Sequence, residues 1–311
     1  MTAGTRAGDR ESFSSASTTK QRIAHGAPLL LDGATGTELE RLGVPSALPL
    51  WSTVALLDAP EALAGVHEAY ARAGADVVTA NTFRTQARVL SLDPRTEGRA
   101  EELTRLAVDC ARRGIDAASA PCFVAGSAPP LEDCYLPDRV PANDQLEAEH
   151  TAHAENLVKS GVDLILIETM NCIREAVAAT AAAKQTGLPF WVSFICDPNG
   201  RLLSGEPLGS ALDGVGHFEP ELVAVNCLPP SAVDGALDAL SRCGFAFGVY
   251  ANLGAPYPNS PDKRVEDHDP ASFVEQARHW VARGARMVGG CCGTTPEHIR
   301  TLRNAFPILP P

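Results

Sequence analysis

The chain has 311 residues, 45% of them hydrophobic and 21% charged, with a formal net charge of −12. Such proportions suit an ordinary globular protein with a large core. The acidic balance argues against a nucleic-acid partner, which needs a basic surplus to neutralise phosphates. No apolar run nears the ~20 residues that span a bilayer, so no membrane partner is expected either.

Residues 1–22, "MTAGTRAGDRESFSSASTTKQR", are small and polar and contain no apolar stretch of the secretory kind. Residues 1–26 are therefore expected to be a disordered tail, and residues 27–311 a single domain. Without a secretory signal, the chain is expected in the reducing cytoplasm. Its nine cysteines are odd in number and irregularly spaced, unlike a disulfide framework. Free, buried or metal-bound thiols remain.

Short apolar runs then recur along the chain: "LLLD" (29–32), "DVVTA" (76–80), "CFVAGS" (122–127), "DLILIE" (163–168), "FWVSFI" (190–195), "LVAVN" (222–226), "FAFGVYA" (245–251) and "RMVGG" (286–290). They are continuous rather than alternating, which predicts parallel strands covered on both faces. Ala-rich helical patterns separate them, at 60–73, 97–118, 143–160, 172–186, 232–242, 270–283 and 296–305. Asp58 is placed to cap the first, Pro296 to open the last, and "KSG", "QTG" and "ARG" put glycine just beyond helix ends. Between 195 and 222, glycines and prolines interrupt any helix. Eight strands alternating with helices predict a (β/α)₈ barrel. The rival, a doubly wound open sheet, lacks its Gly-rich dinucleotide fingerprint here.

Reactive residues of such a barrel belong at the C-terminal ends of its strands. Those positions read Asp32, Asn81, Ser127, Glu168, Asp197, Cys227, Asn252 and the pair Cys291–Cys292. The sixth and eighth strands are separated by one neighbour, so Cys227 can meet Cys291 and Cys292 at one rim. Three thiolates select zinc over magnesium or calcium and leave the fourth tetrahedral position open, the pattern of a catalytic site. The alternative is three small core residues, and that is how Cys110, Cys122, Cys134, Cys172, Cys196 and Cys243 are read.

"GGCCGTTPEHIR", with "VNC" some sixty residues upstream, "IETM", and "LLLDGATGTELERLG" near the start, resembles the zinc-dependent homocysteine S-methyltransferase family. Its members use S-methylmethionine, betaine, or folate and cobalamin. The resemblance covers roughly residues 28–306. It implies a (β/α)₈ barrel, one zinc ion per chain held by Cys227, Cys291 and Cys292, and methyl transfer to the thiol of L-homocysteine, giving methionine. The chemistry is consistent with this: an alkyl thiol is mostly protonated at neutral pH, its thiolate is the nucleophile, and a metal removes the proton.

Homocysteine also carries an ammonium and a carboxylate. Glu168 is the candidate for the ammonium, as the resemblance supports; a helix-start carboxylate is the alternative. Backbone N–H groups at Asp32 and Gly33 could meet the carboxylate, with Asp32 itself orienting the loop or meeting the ammonium. Asn81 and Asn252 could hydrogen-bond near the zinc or simply cap loops. Trp51, Tyr135 and Tyr257 could each face a cationic methyl group or only pack.

The chain also departs from the family. Members often read something like "SVGP" after the third strand, where this one has "GSAPPLEDCY", so the loop meeting the donor is expected to differ. With Pro311 as its last residue, the sequence is expected to carry no cobalamin or folate module and no long C-terminal arm like that of betaine-using relatives. A small onium donor, S-methylmethionine first, is therefore expected, with a separate corrinoid protein as the alternative. Another thiol or selenol acceptor, a zinc hydrolase, and a zinc or thiol sensor also stay open. So does the choice between a monomer and a weak oligomer.

Overall fold

The computed structural model describes residues 18–253 and 269–308. Tyr257 lies outside the described residues. The eight apolar runs become β1 (Leu29–Leu30), β2 (Val77–Ala80), β3 (Phe123–Ala128), β4 (Leu164–Met170), β5 (Phe190–Phe194), β6 (Leu222–Asn226), β7 (Phe247–Ala251) and β8 (Met287–Gly290). All pair in parallel in the order β1-β8-β7-β6-β5-β4-β3-β2. A bridge between Leu31 and Val77 joins the two ends, with Asp32 N–H donating to Val77 O (3.0 Å) and Asp76 N–H to Leu30 O (2.8 Å). The sheet is a closed (β/α)₈ barrel, and the open-sheet alternative falls.

Closure explains why the strands read as unbroken apolar runs. Successive side chains point to opposite faces, and both faces are buried. Leu29 and Leu31 turn inward with Leu164, Leu166, Trp191, Leu222 and Met287 to fill the barrel. Leu30, Val78, Ile165, Val192, Val223 and Val249 turn outward into the layer beneath the helices.

That outer layer is α4 (Pro60–Ala73), α6 (Ala100–Ala118), α7 (Asn143–Ser160), α8 (Ile173–Gln185), α9 (Leu208–Gly216), α10 (Asp234–Arg242), α11 (Pro270–Ala282) and α12 (Pro296–Ala305). Shorter helices, α2 (Thr35–Arg41), α3 (Val54–Asp58) and α5 (Ala87–Leu90), sit in the loops that follow β1 and β2. The glycines expected beyond α7, α8 and α11 have positive φ at Gly161, Gly187 and Gly284, and Pro296 opens α12. Two expectations fail. Asp58 ends α3 instead of capping α4, whose N-cap is Ala59. The Gly- and Pro-rich segment after β5 does form a helix, α9, because Leu208, Ala211, Leu212 and Val215 give it one buried face.

The expected N-terminal tail also begins its order before residue 27. Residues 18–26 contain α1 (Thr19–Ala24), closed by a capping box between Thr18 and Gln21. Ile23 packs against the residues that fill the barrel, Arg22 pairs with Asp76 at 2.8 Å, and Thr19 Oγ1 donates to Glu221 at 2.7 Å. Asp76 and Glu221 immediately precede β2 and β6, so α1 sits at the N-terminal end of the barrel. The opposite end is open.

Candidate active site

One cleft opens at the C-terminal ends of the strands. It is lined by Asp32, Gly33, Asn81, Glu168, Cys227, Cys291 and Cys292, together with Trp51, Phe83, Arg84, Ser127, Cys134, Tyr135 and Tyr250. Of the strand-end residues expected to act on a ligand, Asn252 is the exception: among the described residues it is not part of the lining.

The ligand atoms of Cys227, Cys291 and Cys292 all lie within 4.8 Å of one another, with the Cys227 and Cys291 sulfurs 3.4 Å apart. Local geometry aims them. Cys227 leaves β6 with φ +58°, a left-handed conformation unusual for a residue with a side chain. Cys291 N–H donates to Ala251 O (2.8 Å), and Leu253 N–H to Cys292 O (2.8 Å), which ties the loop after β8 to the end of β7. The glycine before the pair is needed for contact: a Cβ at Gly290 would stand 2.2 Å from Thr294 Oγ1, which donates to Cys291 O (2.7 Å).

Sulfurs sharing one tetrahedral zinc at ~2.3 Å would be ~3.8 Å apart, so this trio has the spacing and the softness to hold that ion. Hydrogen bonding with Cys227 is the largest cause pushing both the Cys291 and Cys292 thiols well above the usual range, and burial adds to it. Cys291 and Cys292 so placed hold their protons more tightly than an ordinary thiol, and a cation beside them would loosen that hold.

Beside the trio lie two buried carboxyls. Glu168 accepts from the Ser127 hydroxyl and, at 3.2 Å, from the Tyr250 hydroxyl. Burial raises it from an ordinary 4.5 to about 7, the two hydroxyls work against that rise, and the charge of Cys227 adds to it. Asp32 accepts from Thr79 N–H (2.8 Å) and the Thr79 hydroxyl (2.9 Å). Burial raises it to about 8 despite both bonds, with Glu168 contributing. Among the described residues neither carboxyl has a basic partner.

Glu168 owes its direction to a break in β4, whose register with β5 shifts between Ile167 and Met170. Thr169 there has φ +61°. Asn226 holds the distortion: its Oδ1 accepts from Thr169 N–H (3.0 Å) and the Ser193 hydroxyl (2.7 Å), and its Nδ2 donates to Thr169 Oγ1 (2.8 Å). Backbone strain held by three bonds at a cleft is characteristic of functional sites.

The other expected contacts divide. Gly33 lies in the wall, and the adjoining Ala34 N–H donates to Thr294 Oγ1 (3.2 Å). Asn81 uses both ends of its amide on Ser52, accepting from the hydroxyl (2.7 Å) and donating to the carbonyl (2.9 Å). It positions the turn that carries Trp51 and leaves little for a ligand. Trp51 meets Phe83 edge-on, 6.2 Å between ring centroids, and Tyr135 Oη lies 3.1 Å from Cys227 Sγ.

Ser127 stands in the strand-end series without a role; Arg84 and Tyr250 belong to the stretches 80–86 and 250–259, expected to shape the floor and rim, with no role of their own, and Thr79 is given none. Thr79 and Tyr250 left a signal, since each is a polar side chain in an otherwise apolar run. Cys134, read as core, is buried but lines the cleft, brought there by the "GSAPPLEDCY" loop. Glu175 accepts from Leu131 N–H (2.8 Å) and Asn171 Nδ2 donates to Cys134 O (3.0 Å), fixing that loop across the mouth.

A sequence model of homocysteine S-methyltransferases matches residues 29–306, nearly the whole barrel. The chain belongs to the homocysteine S-methyltransferase family. It is 31% identical over 296 residues to an Escherichia coli homocysteine S-methyltransferase, covering 88% of this chain and 94% of the relative. It is 28% identical over 307 residues to homocysteine S-methyltransferase YbgG of Bacillus subtilis, covering 91% and 96%. The metallated form of the homocysteine methyltransferase MmuM from Escherichia coli superposes with a TM-score of 0.79 at 27% identity, covering 91% of this chain and 98% of that one. Within this family frame, the cysteine trio and the carboxyl pair are the chemically distinctive part of the cleft.

Proposed function

We propose that this protein transfers a methyl group from a small onium donor, S-methylmethionine first, to the thiol of L-homocysteine, giving methionine. The observation that carries the reading is the convergence of Cys227, Cys291 and Cys292 beside Glu168 and Asp32 in one cleft. That is a thiol-handling group next to a site for an ammonium.

Cys227, Cys291 and Cys292 are the residues that would hold one zinc ion per chain. Zinc there supplies the positive charge that favours the thiolate form of the acceptor's sulfur at neutral pH. The remaining work belongs to the chain. Glu168, set by Ser127 and Tyr250, receives the homocysteine ammonium, whose arrival favours the ionised carboxylate over the protonated form that burial favours. Asp32 stands behind it, and the Gly33 backbone faces the substrate carboxylate. Asn81 serves as a positioning residue through Ser52. Held so, the acceptor sulfur forms the new S–CH₃ bond as the donor's C–S⁺ bond breaks, and the donor leaves as a neutral thioether. The cleft contributes orientation and exclusion of water. Trp51, Phe83 and Tyr135 furnish aromatic faces for the cationic methyl group.

The same reading takes residues 27–311 as one functional domain and a reducing cytoplasm as its compartment, where a thiol site stays reduced. None of the nine cysteines forms a disulfide, and no helix among the described residues is long and apolar enough to cross a membrane. Incubation of zinc-loaded protein with homocysteine labelled in its carbon chain and S-methylmethionine, betaine or methylated corrinoid protein tests the proposal. Labelled methionine formed with the sulfonium supports it. Transfer from corrinoid alone, or to another thiol only, would redirect it.

A further inference from the structure

Arg84 follows β2 in the cleft wall, and it is the cationic residue of that wall. Its Nε is buried and has no hydrogen-bond partner, and among the described residues the guanidinium makes no hydrogen bond or ion pair. Arg88, four residues on, shows the contrast. It is bonded to Glu149 at 2.5 and 2.8 Å and to Glu132 at 3.0 Å. A guanidinium left without an anion in a cleft is a fork of donors aimed at planar acceptors, above all a carboxylate.

The rest of the cleft says which carboxylate. The acceptor's three polar groups are already placed: sulfur at the cysteine trio, ammonium at Glu168 and Asp32, carboxylate at the Gly33 backbone. Arg84 follows Phe83, whose ring meets Trp51, in the loop after β2, and no charge of Arg84 is felt at Asp32 or Glu168. Its charge is felt at Cys134, whereas the charge felt at Asp32 is that of Glu168 and the charge felt at Glu168 is that of Cys227.

We propose that Arg84 binds the carboxylate of the methyl donor and thereby selects onium donors that carry one. This rests on the methyl-transfer reading above and deepens it. The positive onium centre lies toward the anionic cysteine end and the donor's carboxylate toward the guanidinium, so one molecule spans both poles and its methyl group is turned to the acceptor sulfur.

The test compares S-methylmethionine with its decarboxylated analogue, (3-aminopropyl)dimethylsulfonium, in the wild-type protein, Arg84→Met and Arg84→Lys. Wild type should prefer the carboxylate-bearing donor in kcat/KM by on the order of 100-fold. Arg84→Met should lose that preference through a raised KM for S-methylmethionine, with the KM for homocysteine unchanged. Arg84→Lys should recover part of it. A preference kept in Arg84→Met, or a rise in the homocysteine KM instead, overturns the assignment. Calorimetric titration of the zinc-loaded protein with each sulfonium, with homocysteine present, keeps the result independent of turnover. S-methylmethionine binding that Arg84→Met abolishes, without transfer to homocysteine, supports Arg84 and overturns the acceptor reading. Equal binding of the two sulfoniums to wild type, or no binding of either, overturns the role of Arg84.

Discussion

The two ends of the barrel treat buried charge in opposite ways. At the N-terminal end, Asp76 is bonded to Arg22 (2.8 Å), to Arg303 (2.5 Å) and to Leu30 N–H (2.8 Å). Arg286 holds the carbonyls of Ile23 (2.8 Å) and Gly26 (3.1 Å). At the C-terminal end, Asp32 and Glu168 have hydroxyl or amide partners and no cation, and three thiols crowd together nearby. One end has its charges matched within the chain; the other leaves its carboxyls without a cation and its thiols in a group that could hold a metal. The barrel divides stability from chemistry in this way because its layered core insulates one end from the other.

That contrast can be broken most sharply at the cysteines. Cys227→Ala, Cys291→Ala and Cys292→Ala should each reduce methyl transfer to background and lower bound zinc, since two thiolates do not hold the tetrahedral ion. Their circular dichroism spectra should stay those of a folded barrel, because the core comes from the strands and helices. Full activity in any one of them would remove that cysteine from the site.

Glu168→Gln separates binding from stability. Zinc should remain while the KM for homocysteine rises at least tenfold, as a buried ammonium loses its countercharge. The pH dependence of folding sharpens this. The folded carboxyl titrates near 7 and the unfolded one near 4.5, so between those values the folded state holds a proton the unfolded state has lost. Wild-type stability contributed by this group therefore falls as pH rises through that window. Metal-free Glu168→Gln, which has no such proton, should gain on metal-free wild type from pH 4.5 to 7 and hold its advantage above. Thermal melts across pH would show it; a constant difference at all pH values would contradict it.

At the other end the pattern reverses. Asp76→Ala strands two arginines, one of them 17% exposed, and should lower stability by about 3 kcal/mol with kcat little changed. Denaturant unfolding alongside the transfer assay checks both. The smallest effect belongs to the cysteines outside the cleft: Cys243→Ala, at the end of α10, should shift stability by about 1 kcal/mol or less and leave activity intact.

How far this division was legible in the sequence follows from the range of each signal. The strands were legible because burial on both faces makes them continuous apolar runs. Cys227, Cys291 and Cys292 were legible because each directly follows such a run. Glu168 was found as a strand end, but its aim depends on a break in β4 held by Asn226, a residue that drew notice only as the neighbour of Cys227. Thr79 and Tyr250 showed only as polar residues within apolar runs, and such a run does not say which of its positions face the cleft. Arg84 was hidden differently: an unpaired arginine is defined by carboxylates that fail to approach, and only the fold shows that. The helix α1 escaped for a related reason. Its six residues carry one large apolar side chain, Ile23, which joins a cluster with Leu29, Met287 and others gathered by closure of the barrel.

The central claim, that the unmatched end is a thiol methylation site, is tested most directly by one measurement. Zinc-loaded protein, with metal content determined on the same sample, is mixed with S-methylmethionine and homocysteine labelled in its carbon chain, and labelled methionine is followed over time. The account predicts about one zinc per chain and catalytic turnover that chelation stops. Turnover that survives complete removal of zinc, or a fully zinc-loaded protein that methylates no homocysteine from any onium or corrinoid donor, would contradict it.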